Sequence, residues 1–412
     1  MAQAEARPEE SDIQEKGGSA MASRERKGSV ALLVGLLLLA GTAWGADVGV
    51  TDTEIKLGTH LALTGPAAVV GKPILDGMNL YVSYINDLGG IHGRKLVLVA
   101  EDDQFLPSRA KEAVKKLIHS DKVFAIVGSL QGAGILAALP DIEAAKVPQV
   151  FPTTALDDLF FPAKRYIIGW CISYKDQVDI QVDFAVKKLG KKKLAFINQW
   201  GPVGEVNAKA AAERAKKYGL EIAFEEKLQN VEMDYSGLVS RMRAKEVDCV
   251  VITTTAQWTV PVIKEIERQG WKPAVIISNA TGNPELLAAL GGSAAEGCYV
   301  TMNHLPTDAD DPFIKKYREA LEKYSPGAKP SMYNFLGFAE MDLLARAMTQ
   351  VGKELTREKL IDTIESWKDY ETDWLGKVTY SPTDHIGQER MVLVQMEGGK
   401  AKIVDPYAKP LP

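Results

Sequence analysis

An α/β fold of two parallel, doubly wound lobes with a cleft between them is what this chain predicts, and three observations carry that expectation. Short apolar runs without polar alternation, such as 124–127 and 249–253, recur between amphipathic helical patterns, as strands buried on both faces of a parallel sheet do. The alternation runs through one series of elements and starts again near Asp176, which implies a second unit of the same kind. Helical patterns and three late β-type runs come after that second unit, so the end of the chain has to complete sheets built earlier.

Taken in order, a strand at 55–63 leads through Thr64, Gly65 and Pro66 into a helix from about Pro73, whose inward face is Ile74, Met78, Tyr81, Ile85 and Leu88 and which Gly89 and Gly90 stop. A strand at 94–100 precedes a helix opened by Pro107 with Ala110, Val114, Leu117 and Ile118 inward. The run 123–154 reads as strand, glycine loop, helix (135–146, divided by Pro140), strand (147–151), and 165–172 as a further strand. The second series places helices at 176–189, 203–218, 235–244, 258–269 and 284–290, and strands at 193–199, 220–227, 249–253 and 274–278. A strand begins at Tyr299; helices succeed it at 312–324, 332–351 and 356–367, and β-type runs at 377–380, 390–396 and 401–404. The crossings between lobes are expected near 170–172, 298–303 and 380–390, and the lobes at 46–170 plus 300–380 and 171–299 plus 381–412. A cleft between two lobes suits a small molecule that is closed upon.

The glycine loop at Gly128, Gly132 and Gly134 leaves the carboxyl end of a parallel strand, the edge where open α/β sheets bind ligands. Bare N–H groups at Gly132 and Ala133, at a helix start, favour a carboxylate or another anion. The run from Gly132 to Ala137 also fits G-x-G-x-x-A, but the acid that would hold a dinucleotide ribose is missing: Phe151, Pro152 and Thr153 stand there. Glycines that merely let the helix approach the sheet are the plainer alternative.

The first 45 residues carry Arg24, Arg26 and Lys27 ahead of an apolar run from Val30 to Ala40, with Ala43 and Gly45 as the small residues of a cleavage site. This is the pattern of an export signal, with Met21 as a possible start and Ala46 as the first mature residue; the apolar run is short for a membrane span. The remaining 44 Lys+Arg against 48 Asp+Glu argue against nucleic acid as a partner. Cys171, Cys249 and Cys298 cannot all pair, and their apolar neighbours favour buried free thiols. Five scattered histidines give no metal-ligand spacing, so neither a metal nor a cofactor is expected.

The residues Gly49 to Gly58 (GVTDTEIKLG), the Leu63-Thr64-Gly65-Pro66 loop, Ile85-Asn86 with Gly89-Gly90-Ile91 and Gly93-Arg94, Asp102-Asp103, and Glu296-Gly297 before a strand resemble the leucine/isoleucine/valine-binding proteins over essentially the whole mature chain. These are type I periplasmic solute-binding proteins of ABC importers. The resemblance implies two Rossmann-like lobes with three crossovers, a small-molecule ligand trapped between them, a monomer in the periplasm, and a permease of the inner membrane as partner. It places the ligand among Val70, Leu130, Gln131, Gly132, Thr153, Thr154, Ala155 and Tyr333 of the first lobe and Val203, Thr255 and Ala280 of the second. Where amino-acid binders have a Ser, a Thr and an acid, this chain has Gly132, Ala155 and Ala280, so an ammonium would lack its counter-charge, at a cost of several kcal/mol. Asn279 beside Ala280 suits an amide or a carboxylate. Trp170, Trp200 and Trp258 lie near strand ends; a structural role is the plainer reading of each, while two of them in the cleft would favour an aromatic or apolar organic acid, and Trp200 joins the candidate set on that ground.

Catalysis is not expected, since G-x-S-x-G, a paired Cys/His and a metal cluster are all missing; acids in the loops read as solvated surface rather than general bases, with Glu205 and Asp157 the two to watch. The expected function is capture of a small, carboxylated organic solute for an ABC permease. A ligand-sensing module that signals to a separate protein is the alternative, and a secreted enzyme, which would turn its ligand over, is the third reading.

Overall fold

The computed structural model describes residues 47–229, 234–281 and 284–411, so the expected export signal at 1–45 lies outside the described residues. The first unit runs β1 (Glu54–Leu61), α1 (Ala68–Asp87), β2 (Lys95–Asp102), α2 (Pro107–His119), β3 (Ala125–Val127), α3 (Gly132–Ala145), β4 (Gln149–Val150), α4 (Asp157–Phe160) and β5 (Ile167–Ile168). Its sheet is parallel throughout, in the order β2-β1-β3-β4-β5. Leu57, Ala125, Ile126 and Val127 are fully buried, as strands covered by helices on both faces require.

The second unit continues with α5 (Tyr174–Asp183), β6 (Leu194–Gln199), α6 (Pro202–Lys217), β7 (Ile222–Leu228), α7 (Tyr235–Ala244), β8 (Cys249–Thr253), α8 (Ala256–Arg268), β9 (Ala274–Ile277), α9 (Pro284–Gly291) and β10 (Tyr299–Met302). The helices α10 (Pro312–Tyr324), α11 (Met332–Val351) and α12 (Arg357–Glu365) come next, then β11 (Tyr370–Glu371), β12 (Lys377–Val378), β13 (Met391–Glu397) and β14 (Lys400–Ala408). The second sheet has the order β14-β13-β10-β9-β8-β6-β7, parallel from β7 to β10 and closed by the antiparallel β13 and β14. β10 straddles the 299/300 division expected from the sequence, and its pairing with β9 and β13 keeps the whole strand in the second sheet.

The late helices return to the first sheet: Phe313, Tyr317, Phe335, Phe338 and Ile361 share one core with Ile55, Leu57 and Phe124. Their starts are fixed by side-chain caps, Asp311 accepting from Phe313 N at 2.8 Å, Ser331 from Asn334 N at 3.3 Å and Thr356 from Lys359 N at 3.2 Å. α1 and α11 cross with their backbones in contact. A Cβ on Gly77 would stand 1.8 Å from the Asn334 carbonyl oxygen, and one on Gly337 would stand 2.0 Å from that of Ile74, so each helix needs a glycine for the other.

Several elements differ from the sequence expectation. α1 begins at Ala68 rather than near Pro73, because Pro73 forfeits only one early helical bond while Gly71 lets the first turn lie on the Ala62 carbonyl. α3 runs unbroken through Pro140 from Gly132. The expected strand 165–172 shortens to two paired residues, and the helix at 176–189 begins at Tyr174 and ends in a π-helical segment, Phe184–Lys188. The run at 377–380 joins neither large sheet: β12 pairs with β11 alone.

Three passages of chain link the units and touch one another. Gly169 N donates to His385 O at 2.8 Å, the Tyr380 hydroxyl donates to Gly169 O at 2.9 Å, and Gln388 Nε2 donates to Asn303 O at 2.6 Å. Gly387 makes this possible, since a Cβ there would stand 2.1 Å from the Tyr380 ring.

Candidate functional site

Loops at the carboxyl ends of parallel strands from both sheets meet around a common pocket. A pocket of about 160 Å³ is lined by Thr153 from the loop after β4, by Asn279 and Ala280 from the turn after β9, by Met302, Asn303 and His304 where β10 leaves the second sheet, and by Met332, Tyr333 and Leu336 from the start of α11. A second pocket of about 210 Å³ shares Asn279 and Ala280 and extends across the second lobe to Val203, Thr253, Thr255, Gln177 and Gln181. A larger groove, about 320 Å³, lies at the opposite edge of the second sheet, around Trp271 and Cys298, away from the strand-end loops that open α/β sheets use for binding.

On the first lobe, the cleft wall is held from behind. Glu340, fully buried in α11, accepts on Oε1 from the Thr153 hydroxyl and from Trp170 Nε1, the latter at 3.1 Å. Burial pushes its carboxyl up to about 8 although both hydrogen bonds pull the other way, so the group is protonated at neutral pH. Its Oε2 packs beside Gly128, where an added Cβ would stand 2.7 Å from it. The backbone at this edge is unusual: Ser129, two residues past β3, and Phe151, directly after β4, take positive φ, 83° and 55°. Non-glycine residues in that region mark strained loops of the kind found at binding sites. Ser129 O in turn accepts from Thr153 N at 2.9 Å, which fixes the threonine.

Of the sequence-derived residues, Thr153, Tyr333, Asn279 and Ala280 line the first pocket, and Val203 and Thr255 join Asn279 and Ala280 in the second. Val70 and Leu130 are half-buried against the first-lobe core, and Gln131, Gly132, Thr154 and Ala155 are buried outside the lining of both pockets. The reason is local packing. A Cβ on Gly132 would meet the Thr154 hydroxyl at 2.6 Å and Leu156 Cβ at 3.1 Å, so the space in front of this glycine is already filled by its own lobe. A valine at Gly132 therefore strains the loop as well as the approach to the amides. Trp200 is 65% exposed on the loop after β6, while Trp170 is fully buried with its ring edge against Trp374 at 5.2 Å. Trp258 is half-buried in α8. Glu205 is exposed; Asp157 is half-buried, and burial first, then Asp158 and Asp176, raise its carboxyl pKa.

Sequence reasoning missed Glu340, Gln177 and Gln181. The signal available was an acid inside an otherwise apolar helical run, and two amides one turn apart on the inward face of a helix.

Electrostatically the site is neutral. No Asp, Glu, Lys or Arg lines either pocket among the described residues. His304 donates from Nδ1 to Leu305 O at 2.6 Å, and burial holds its pKa down to about 4, so its ring is uncharged. The three cysteines are free and buried, and burial pushes the Cys249 and Cys298 thiols up to about 12, which leaves them unreactive. Among the described residues no cluster of metal-ligating side chains occurs and no helix is long and apolar enough to cross a membrane.

A family model described as periplasmic binding protein matches residues 54–401. The chain is 24% identical to a Leu/Ile/Val-binding protein homolog 3 of Brucella melitensis, over 89% of this chain and 98% of that one. Among solved structures, it is similar to a branched chain amino acid ABC transporter protein from Thermus thermophilus with bound valine (TM-score 0.76, 22% identity, 87% and 97% of the two chains). It is also similar to a fatty acid ABC transporter substrate-binding protein from Thermomonospora curvata (TM-score 0.75, 25% identity, 89% and 95%).

Proposed function

Since this chain belongs to the periplasmic binding protein family, in its leucine/isoleucine/valine-binding branch, we propose that it is the extracytoplasmic receptor of an ABC transporter, which closes on a small organic solute and delivers it to a membrane permease. The family binds solutes and does not transform them. The observation that carries this reading is the pocket built jointly by Thr153 and Tyr333 of the first lobe and Asn279 and Ala280 of the second, since a ligand held there touches both halves and favours their closed arrangement. In this reading the moving bodies are 46–170 plus 303–380 and 171–302 plus 381–412, with β10 kept whole in the second body, the protein acts as a periplasmic monomer, and the three mutually bonded passages form the hinge.

The ligand has an apolar part and a polar part. Met302, Met332 and Leu336 offer the apolar wall, and Thr153, Asn279 and Asn303 the polar one. The family's relatives bind leucine, isoleucine and valine by name, but Ala280 supplies no carboxylate for an α-ammonium, which favours an organic acid or a neutral solute over a free amino acid. Native mass spectrometry of the purified protein, followed by identification of the small molecules released on denaturation, tests this. A retained solute that comes off unchanged supports the receptor reading, and a released product of its turnover defeats it. Retained leucine, isoleucine or valine would defeat the preference against amino acids alone.

A further inference from the structure

Four polar side chains around the second pocket are nine-tenths or more buried and each has an atom without a partner: Gln181 Oε1, Asn207 Oδ1, Thr253 Oγ1 and Ser278 Oγ. Buried polar atoms are rarely left unpaired, because each forfeits its hydration for nothing, and four around one cavity point to a missing group. The orientation of Gln181 is fixed by its neighbours. Thr301 donates its hydroxyl hydrogen to Ile277 O at 3.4 Å and so accepts from Gln181 Nε2 at 3.0 Å, which turns the glutamine carbonyl oxygen into the unpaired end. The free set is thus the Gln181 carbonyl oxygen, held in that orientation, the Asn207 side-chain amide, and two hydroxyls, which both give and accept.

That set selects by charge. A carboxylate would be set against the Gln181 carbonyl oxygen. An ammonium would find acceptors but no counter-charge, because the acids of the same helix are committed elsewhere: Asp183 lies 2.5 Å from Arg214, Asp179 lies 2.7 Å from Lys175, and Asp176 accepts from the Ser173 hydroxyl at 2.8 Å with Lys175 at 3.8 Å. A neutral group bearing N–H or O–H donors pairs with all four without bringing a charge out of water. We propose that the second-lobe pocket at Gln181, Asn207, Thr253 and Ser278 is a subsite for the uncharged, donor-rich end of the solute, a carboxamide, ureido or polyhydroxyl group, and that it rejects an ammonium. This rests on the receptor reading above and deepens it.

The test is calorimetry on the whole chain with three probes that share one carbon skeleton: 4-methylpentanamide, 4-methylpentanoate and 4-methylpentylamine. The amide is expected to bind at least tenfold more tightly than either charged probe, and Gln181→Met to remove about tenfold of its affinity while leaving the circular dichroism spectrum unchanged. Ala280→Glu, at an exposed position shared by both pockets, is expected to reverse the preference toward the amine; Ala280→Asp repeats the test with a shorter acid. Equal or tighter binding of the amine or the carboxylate by the wild-type chain overturns the proposal. If none of the three binds, a pooled extract of small metabolites replaces them. A retained compound that enters with a charged head group overturns this proposal alone, one with a neutral head group sustains it, and retention of nothing overturns the receptor reading beneath it.

Discussion

The first-lobe face of the cleft keeps its polar groups behind a filled wall: Thr153 is tied to Glu340, Gln131 Nε2 donates to Phe105 O at 2.5 Å, Gly132 is covered by Thr154 and Leu156, and the unpaired Ser129 Oγ, Gln131 Oε1 and Glu340 Oε2 belong to residues outside the lining of both pockets. The second-lobe face leaves Gln181, Asn207, Thr253 and Ser278 unpaired around an open pocket. Both faces descend from the same arrangement, loops at the carboxyl ends of parallel strands, so the fold alone does not decide which lobe reads the ligand. The difference teaches that one lobe serves as a rigid shelf and the other discriminates.

The strongest way to break the comparison is to spoil the shelf. Gly337→Val drives a Cβ to within 2.0 Å of the Ile74 carbonyl oxygen and is expected to cost about 3 kcal/mol or more of stability, read as a lower urea midpoint. A midpoint unchanged from wild type would mean that α11 shifts freely and the shelf is not rigid. Next comes the shelf's buried acid. Between about 4.5, its ordinary value, and about 8, Glu340 keeps its proton in the folded chain and loses it in the unfolded one, so stability falls as pH rises through that window, by at most about 1.4 kcal/mol per pH unit. His304 acts oppositely: between about 4 and 6.5 only the unfolded chain takes up its proton, so stability rises with pH there. The two slopes offset each other below pH 6.5, and the decline should emerge between pH 6.5 and 8. Glu340→Gln should remove that decline, as urea titrations across the range would record. A decline of equal size in the variant would place its origin elsewhere.

A smaller effect sharpens the contrast from the ligand's side. Thr153→Val deletes the one shelf hydroxyl that both lines the pocket and binds Glu340; it is expected to lower solute affinity by about tenfold, roughly 1.4 kcal/mol, measured by calorimetry with whichever solute the protein retains. The smallest effect is at the rim. Trp200→Ala, at a side chain 65% exposed, should leave stability within about 0.5 kcal/mol of wild type, and a larger loss would make the indole structural.

Much of the scaffold was legible because strong local signals agreed with tertiary need. The helices Tyr235–Ala244, Pro312–Tyr324 and Met332–Val351 have the bounds their apolar periodicity predicts, two of them opened by a capping Asp or Ser. Where a strand contributes only two paired residues, as at β4 and β5, the flanking apolar residues mimic a longer one, since burial and ladder pairing are different conditions. Thr153 was legible from its place in a loop just past the end of a strand, whereas Ala280 and Tyr333, with Asn279 beside Ala280, could be reached through the resemblance to the leucine/isoleucine/valine-binding proteins. Glu340 could not, because its role is set by Thr153 and Trp170, 187 and 170 residues away, which no local pattern encodes.

The crossing at Gly77 and Gly337 also bears on how such a receptor diversifies over generations. Contact between two backbones offers no side chain to enlarge, trim or exchange, so this joint has no neighbouring variants to drift through. Tyr333, about one turn from Gly337 on the same helix and only half-buried at the pocket, has room to vary that the buried crossing lacks. A lineage can therefore change what it captures while its framework stands still, and a directed-evolution library would do best to randomise Tyr333 and leave the two glycines alone.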